Sequence, residues 1–414
     1  MADGDRDTQG TQQAAHVGVD VPMTASDSMT LADLPDLPDV SVLPDVLRSP
    51  APASAGSGSA GPGSAEPRIA GVGTAVAGQP YSQQDLLDIF GIADPKIRSI
   101  FLGNAIARRF LTLPPCDQDG KRGTEAQGDL LGKHKALTVD MGARALRGCL
   151  ERAGAGLADI GCLCCVTSTG YLTPGLSALL IRELGIPPHC GRLDVVGMGC
   201  NAGLNALRMT AGWSAAHPGE LAVMVCAEAC SAAYVFDSTL RTAVVNSLFG
   251  DGAAAVALVA GEDGQAPAGP RLLSFASHII TDAFDAMRYD WDDSQAKFSF
   301  FLDPDIPYVV GANAELVIGR LLSGRGLRRS DIGHWLVHSG GKKVIDAVMV
   351  NLGLTRHDLR HTTGVMRDYG NLSSGSFLFS YERLIGEEAA RPGDYGVLMT
   401  MGPGSTIETA LVQW

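Results

Sequence analysis

No run of this sequence approaches the roughly 20 apolar residues that a helix needs to cross a bilayer. Nor does a basic segment followed by an apolar one open the chain as an export signal would. From these absences a cytoplasmic protein away from the membrane is expected. Positive charge is scarce too: 32 Lys and Arg stand against 45 Asp and Glu, a formal charge of −13. Nucleic-acid binding by phosphate neutralisation needs clustered Lys and Arg, so this charge balance disfavours that class. A second CxxC-type pair is missing. Of nine cysteines, the one dense group is Cys162, Cys164 and Cys165, inside the apolar run Ile160–Val166. That is the pattern of a buried strand and not of zinc ligands on turns, so no metal site is expected. An odd number of cysteines without an export signal points to reduced thiols and not to disulfides.

What is present is enough apolar sequence, 45% over 414 residues, to bury a large core in two or three structural units. The organisation is uneven. Residues 1–66 are rich in Pro, Ala, Ser, Gly and Asp and cannot bury enough apolar area to offset ordering, which predicts a disordered acidic extension. That segment carries ten acidic and two basic residues, so eight of the thirteen net negative charges fall outside the folded body.

Beyond it, short apolar runs alternate with segments of helical period, the pattern of a layered α/β protein. The clearest helix is predicted over Asp129–Arg152. Strands are predicted at Ile69–Ala75, Ile160–Thr167, Arg192–Val196, Leu221–Cys226, Ala253–Val259, Leu272–Ile279, Trp335–His338, Gly396–Met401 and Thr406–Val412. Their spacing suggests two similar halves, 67–262 and 263–414, each with a strand that runs into a small-residue turn and a helix.

Those two turns carry the chemistry. Cys200 follows Gly197 and Gly199 at a strand-to-helix turn, where a helix N-terminus favours a thiolate. The competing reading is a small buried core residue. His338 ends an apolar strand before Ser339-Gly340-Gly341 and so aims at a crevice; an imidazolium there lowers the Cys200 pKa further. A lone His in such a place is more often a satisfied core residue, but pairing with a strand-end Cys in the other half reverses the balance. Asn371, in Asp368-Tyr-Gly-Asn371-Leu-Ser-Ser-Gly375 before a helix over Phe377–Leu384, can donate to an oxyanion. Taken alone it is an ordinary turn residue or helix cap.

Two lookalikes fail. Ser339-Gly-Gly-Lys-Lys343 lacks the first Gly and the final Ser or Thr of a phosphate loop. Gly197, Gly199 and Gly203 suggest a dinucleotide fingerprint, but a Cys occupies the tight turn and no clear acidic partner follows.

In order along the chain, Gly197-Met-Gly-Cys200-Asn-Ala-Gly-Leu-Asn, Leu248-Phe-Gly-Asp-Gly-Ala-Ala-Ala, His338-Ser-Gly-Gly, Tyr369-Gly-Asn371-Leu-Ser-Ser and Met401-Gly-Pro-Gly-Ser-Thr-Ile-Glu408 resemble the signature segments of chalcone synthase-like type III polyketide synthases. The resemblance runs from about residue 68 to the C-terminus. It implies a thiolase-like fold of two similar halves in an αβαβα arrangement, with Cys200 carrying the acyl chain and His338 and Asn371 acting in decarboxylation. It implies no cofactor, since CoA thioesters are substrates and loss of CO2 drives each condensation.

Within the family, Gln127-Gly-Asp-Leu-Leu, Asp285-Ala-Met-Arg-Tyr-Asp-Trp291 and Phe298-Ser-Phe-Phe-Leu-Asp303 resemble the bacterial branch serving glycopeptide antibiotic biosynthesis. That narrower likeness implies four malonyl-CoA units, as starter and extenders, closed into (3,5-dihydroxyphenyl)acetyl-CoA. It also implies a homodimer, and accessory enoyl-CoA hydratase-like proteins as partners.

Pocket residues implied by the family are Tyr234, where a gatekeeping Phe is usual, and Phe300. Ser168, Thr169 and Thr173 fall in a segment that lines the cavity, and Gly402, Pro403 and Gly404 form a substrate-binding turn. Arg108 and Arg109 are expected near the CoA entrance. The rivals are a type III enzyme making a pyrone, a tetrahydroxynaphthalene or an alkylresorcinol, and a fatty-acid initiating ketosynthase, against which the Gly402-Pro-Gly404 turn argues. A hydroxymethylglutaryl-CoA synthase would need a glutamate as general acid, and a non-catalytic scaffold would have lost one of the three residues.

Overall fold

The computed structural model describes residues 65–120, 122–233, 239–261 and 268–414. Most of the expected extension, and Tyr234, lie outside the described residues. Glu66, assigned to the extension, already belongs to the first strand.

In chain order the strands are β1 (Glu66–Val76), β2 (Gln79–Tyr81), β3 (Arg109–Leu111), β4 (Ile160–Thr167), β5 (Gly191–Val196), β6 (Leu221–Glu228), β7 (Gly252–Gly261), β8 (Arg271–Ile279), β9 (Met287–Asp292), β10 (Lys297–Leu302), β11 (Ile332–Val337), β12 (Tyr395–Gly402) and β13 (Thr406–Gln413). The helices are α1 (Gln83–Ile89), α2 (Pro95–Leu102), α3 (Gln127–Ala153), α4 (Leu176–Leu184), α5 (Ala202–Ala216), α6 (Leu240–Leu248), α7 (Ile306–Leu322), α8 (Lys342–Asn351), α9 (Arg360–Tyr369) and α10 (Ser376–Gly386).

Nine strands join one sheet in the order β11-β12-β13-β8-β1-β7-β6-β4-β5. β4 runs parallel to β5 and β6, and β11 to β12; the remaining neighbours are antiparallel. The strands sort by chain position: β1 and β4–β7 on one side, β8 and β11–β13 on the other. Among the described residues, only Arg68 and Arg271 pair across the seam.

Helices lie in three layers around these strands. α3 and α4 pack Met141, Leu146, Leu176 and Leu180 onto β4, β6 and β7. α7 and α8 cover β11–β13 through Val310, Val317, Ile345 and Val348. Between the two strand groups sit α5 and α10, whose Leu204, Leu207, Phe377 and Leu378 touch apolar residues of both. Fully burying each such side chain contributes roughly 1.5–3 kcal/mol. This is the αβαβα layering expected. β5 is an edge strand, and β9 and β10 form a separate hairpin.

The central helices fix the site. α5 starts just after Cys200, and α10 starts at Ser376, five residues beyond Asn371, so both sites of interest meet helix N-termini from the buried middle layer.

Candidate active site

Cys200 occupies a 3₁₀ turn, Gly199–Asn201, that leads directly into α5. The turn is shaped by close approach. A Cβ on Gly199, whose φ is +70°, would stand 2.3 Å from Pro403 Cδ, and one on Gly402 would stand 2.3 Å from Asn201 Oδ1. The Gly402–Gly404 turn therefore presses on the backbone that presents the thiol. It does not line the cavity in front of it.

His338 follows the last residue of β11, and its N–H donates to Met399 O at 2.8 Å. Ser376 Oγ lies 2.5 Å from its Nδ1 and fixes the ring. A hydroxyl both donates and accepts, so Ser376 supports either imidazole tautomer and leaves Nε2 for a reacting group. Asn371 is held by its N–H to Leu248 O and by the Ser373 N–H to its Oδ1, both 2.8 Å. With Oδ1 engaged, the carboxamide N–H groups remain for a ligand.

These three residues, all buried, line one cavity of about 620 Å³. Its walls are largely apolar, with Leu248, Phe249, Met287, Phe300, Leu302 and Met401 among them. Phe249 and Phe300 meet edge to face at 5.8 Å. Ser99 from α2, Asn104 from the turn after it, and Lys342 and Lys343 from the first turn of α8 add a polar margin.

Burial sets the electrostatics. It pushes the Cys200 thiol up to about 12, with the nearby Glu228 raising it further and Ser373 lowering it. It pushes the His338 imidazole down to about 3. Each group alone resists charge in this setting. A proton passed from Cys200 to His338, however, leaves the cavity's net charge unchanged, and the resulting ion pair is favoured by mutual attraction and by the N-terminus of α5.

Behind the thiol lies a buried carboxylate, Glu228, at the end of β6. It accepts from Ser168 N at 2.8 Å, Thr169 Oγ1 at 3.1 Å and Ser374 Oγ at 2.5 Å. Burial raises it to about 7, and these bonds oppose the shift.

Residues 121–263 match the N-terminal domain of the chalcone and stilbene synthases, and residues 286–414 match the C-terminal domain. The chain is 75% identical over 351 residues to a 3,5-dihydroxyphenylacetyl-CoA synthase of Streptomyces toyocaensis, covering 84% of this chain and 90% of that one. It belongs to the chalcone and stilbene synthase family. These are type III polyketide synthases. The corresponding synthase of Amycolatopsis balhimycina is 74% identical, over 84% of this chain and 93% of that one. By contrast, the 1,3,6,8-tetrahydroxynaphthalene synthase of Streptomyces peucetius subsp. caesius is 32% identical over similar lengths, 84% and 93%. Among solved structures, the 1,3,6,8-tetrahydroxynaphthalene synthase of Streptomyces coelicolor A3(2) superposes with a TM-score of 0.76 at 25% identity, covering 84% of this chain and 99% of that one. PKS-I from the brown alga Ectocarpus siliculosus gives 0.80 at 24% identity, over 85% and 99%, and shares the fold.

The pocket residues that the family resemblance implied distribute differently. Phe300 lines the cavity, and its aromatic partners are Tyr289 and Phe249, the latter within the Leu248-Phe-Gly-Asp-Gly segment. Ser168 and Thr169 do not reach the cavity: the Ser168 N–H and the Thr169 hydroxyl bind Glu228. Thr173 is exposed and donates to Tyr171 OH at 2.9 Å. Arg109 is not at an entrance. It is 1% exposed and donates to Phe249 O at 2.7 Å and Gln83 Oε1 at 3.0 Å, tying β3 beneath the cavity wall. Arg108 is exposed but away from the cavity.

Proposed function

We propose that this chain condenses four malonyl-CoA molecules and closes the product into (3,5-dihydroxyphenyl)acetyl-CoA, the precursor of 3,5-dihydroxyphenylglycine in glycopeptide antibiotic biosynthesis. The observation that carries this reading is the three-quarters identity to 3,5-dihydroxyphenylacetyl-CoA synthases, against one-third to a tetrahydroxynaphthalene synthase, in a chain whose Cys200, His338 and Asn371 share one cavity.

In this proposal the Cys200 proton passes to His338 as sulfur attacks the malonyl-CoA carbonyl, and the imidazolium returns it to the departing CoA thiolate. The acyl group is then on Cys200. A second malonyl-CoA loses CO2, and the electron pair of the broken C–C bond becomes an enolate whose oxygen is met by His338 Nε2–H and the Asn371 carboxamide. Removing one such donor costs on the order of 3 kcal/mol of barrier. The enolate carbon attacks the acyl-cysteine carbonyl and the Cys200 thiolate leaves, so the longer chain is now a CoA thioester ready for reloading.

Three condensations give a nine-carbon chain with a terminal carboxylate. Loss of that carboxylate as CO2 makes the terminal carbon a nucleophile toward the ketone nearest the thioester. Loss of water and enolisation yield the dihydroxyphenylacetyl ring, the stage at which an accessory enoyl-CoA hydratase-like protein would act.

The cations that line the cavity, Lys342 and Lys343, take over the role expected of Arg108 and Arg109 and receive the phosphates of CoA at the first turn of α8. Homodimerisation is supported by edge strand β5, where Leu193 and Val196 are 42% and 44% exposed, an edge that an unpaired sheet would rarely leave open.

The test is mass analysis of products from the purified protein given malonyl-CoA alone. The eight-carbon aromatic thioester supports the proposal. Pyrones alone, or no turnover until an acyl-CoA starter is added, would contradict it.

A further inference from the structure

Helix α6 ends against the Cys200 cavity, and Ser247, Leu248 and Phe249 all line it. A helix leaves its last carbonyls without partners of its own, and at Phe249 the backbone turns extended, so these oxygens need donors from elsewhere. Each finds one. Gln83 Nε2 and Asn104 Nδ2 donate to Ser247 O at 2.7 and 2.8 Å, and Arg109 Nη1 donates to Phe249 O at 2.7 Å. The carbonyl between them, Leu248 O, takes the backbone N–H of Asn371 at 2.8 Å, and Gly250 N–H returns a bond to Asn371 O at 3.0 Å. Phe249 and Asn371 thus form a one-residue parallel bridge, and Phe249 turns its own carbonyl to the opposite side, onto Arg109.

Arg109 bears on this seat in two further ways. Its Nη2 donates to Gln83 Oε1 at 3.0 Å, so the two side chains that hold Ser247 O and Phe249 O brace each other. Its aliphatic stem packs on Gly370, where a Cβ would stand 2.9 Å from Arg109 Cγ and Cδ. The residue before Asn371 and the residue bridged to it therefore rest on one buried side chain.

We propose that Arg109 is the positioning residue for Asn371: its guanidinium fixes Phe249, its stem backs Gly370, and together they set where the Asn371 carboxamide meets the enolate oxygen. The inference rests on the decarboxylating role proposed above for Asn371. There the C–C bond of malonyl-CoA breaks, CO2 leaves, and the electron pair becomes the enolate. A donor lowers that barrier only if it already stands where the charge develops, and a misplacement of about 1 Å costs on the order of a hundredfold. The fork of Arg109 makes two bonds in fixed relation, which a Lys ammonium does not reproduce.

The thiol is seated elsewhere. The Cys200 turn leans on Pro403 and Gly402, and His338 is held by Ser376 and Met399 O. Arg109 accordingly acts on decarboxylation and not on activation of Cys200.

The experiment measures CO2 release from carboxyl-labelled malonyl-CoA at saturation in the full-length protein, beside the rate of Cys200 alkylation by iodoacetamide and thermal melts. Arg109→Met is expected to lose about tenfold in CO2 release with alkylation within about twofold of wild type, and Arg109→Lys to lose less. Asn371→Ala alone is expected to lose on the order of a hundredfold. In the double variant, Arg109→Met with Asn371→Ala, a residue that acts through Asn371 has nothing left to act on, so less than about twofold further loss is expected. Should Arg109→Met fail to fold, Gln83→Leu removes the brace behind the guanidinium and takes its place in the same cycle, with a smaller expected loss. Losses that multiply in the double variant, alkylation that falls in step with CO2 release, or undiminished CO2 release in a folded single variant at Arg109 would overturn the positioning role. Asn371→Ala that releases CO2 as fast as wild type would instead overturn the role given to Asn371 itself, so the two failures read out on different proteins.

Discussion

The Ser373 hydroxyl stands between Cys200 and Glu228, 3.5 Å from the sulfur and 3.4 Å from a carboxylate oxygen. Through this contact, and by its own negative charge, Glu228 reaches the thiol. Burial holds the folded carboxyl near 7, above its ordinary 4.5, so the folded state binds a proton that the unfolded state has released between those pH values. The stability that this proton gives is present below about pH 4.5 and is lost as pH rises through 7.

Glu228→Gln removes that dependence. Thermal melts of wild type and variant are expected to diverge in the variant's favour from pH 5 to pH 8, after a constant offset for altered hydrogen bonds. A parallel pair of curves would contradict the assignment. With the negative charge gone, alkylation of Cys200 by iodoacetamide at pH 8 is also expected to speed up, since Glu228 raises the thiol.

His338→Gln deprives the thiol of the group that takes its proton. Burial then holds Cys200 near 12 without relief. The alkylation rate at pH 7.5, followed by mass spectrometry of the Cys200 peptide, is expected to fall at least tenfold, a difference of about 1.4 kcal/mol. An equal rate in the two proteins would show that His338 does not activate the thiol.

Lys342→Ala with Lys343→Ala weakens CoA recognition and leaves the reacting groups in place. The KM for malonyl-CoA is expected to rise about tenfold, a small loss for two phosphate contacts, with kcat within a factor of about three. The wild-type KM should itself rise with salt, and that of the double variant much less. A drop in kcat at unchanged KM would place these lysines elsewhere in the reaction.

Gly199→Ala drives a methyl group into Pro403 at a residue of positive φ. We expect a loss of about 2–4 kcal/mol in denaturant melts, with turnover falling because the Cys200 turn shifts. Adding Pro403→Ala removes the clashing ring atoms and is expected to restore part of both. Independent, additive losses would argue against the packing of these two turns.

Much of this architecture is legible in the sequence. The nine predicted strands are the nine of the main sheet, because buried strands between helices read as short β-branched runs bounded by small residues. Cys200 and His338 are marked by glycine-containing turns that follow a strand in each half, and Asn371 by its place in a small-residue turn before a helix, telling only beside the other two. The short strands β2 and β3 and the β9–β10 hairpin carry Arg, Asp, Lys and Pro amid their aromatics, which hides their period. Glu228 escaped notice because it ends an apolar strand whose next turn looks ordinary; its partners come from 168–169 and 373–374, which only the fold brings near. Arg109 misled for the converse reason: beside Arg108 it resembles a surface pair, and a backbone carbonyl 140 residues away buries it.

The central claim is that this cavity builds its product from malonyl-CoA alone. Uniformly ¹³C-labelled malonyl-CoA mixed with unlabelled acetyl-CoA tests it most directly, with the mass of the aromatic thioester as the readout. The account predicts that all eight acyl carbons carry label. A product whose ring ends in an unlabelled two-carbon unit would contradict it.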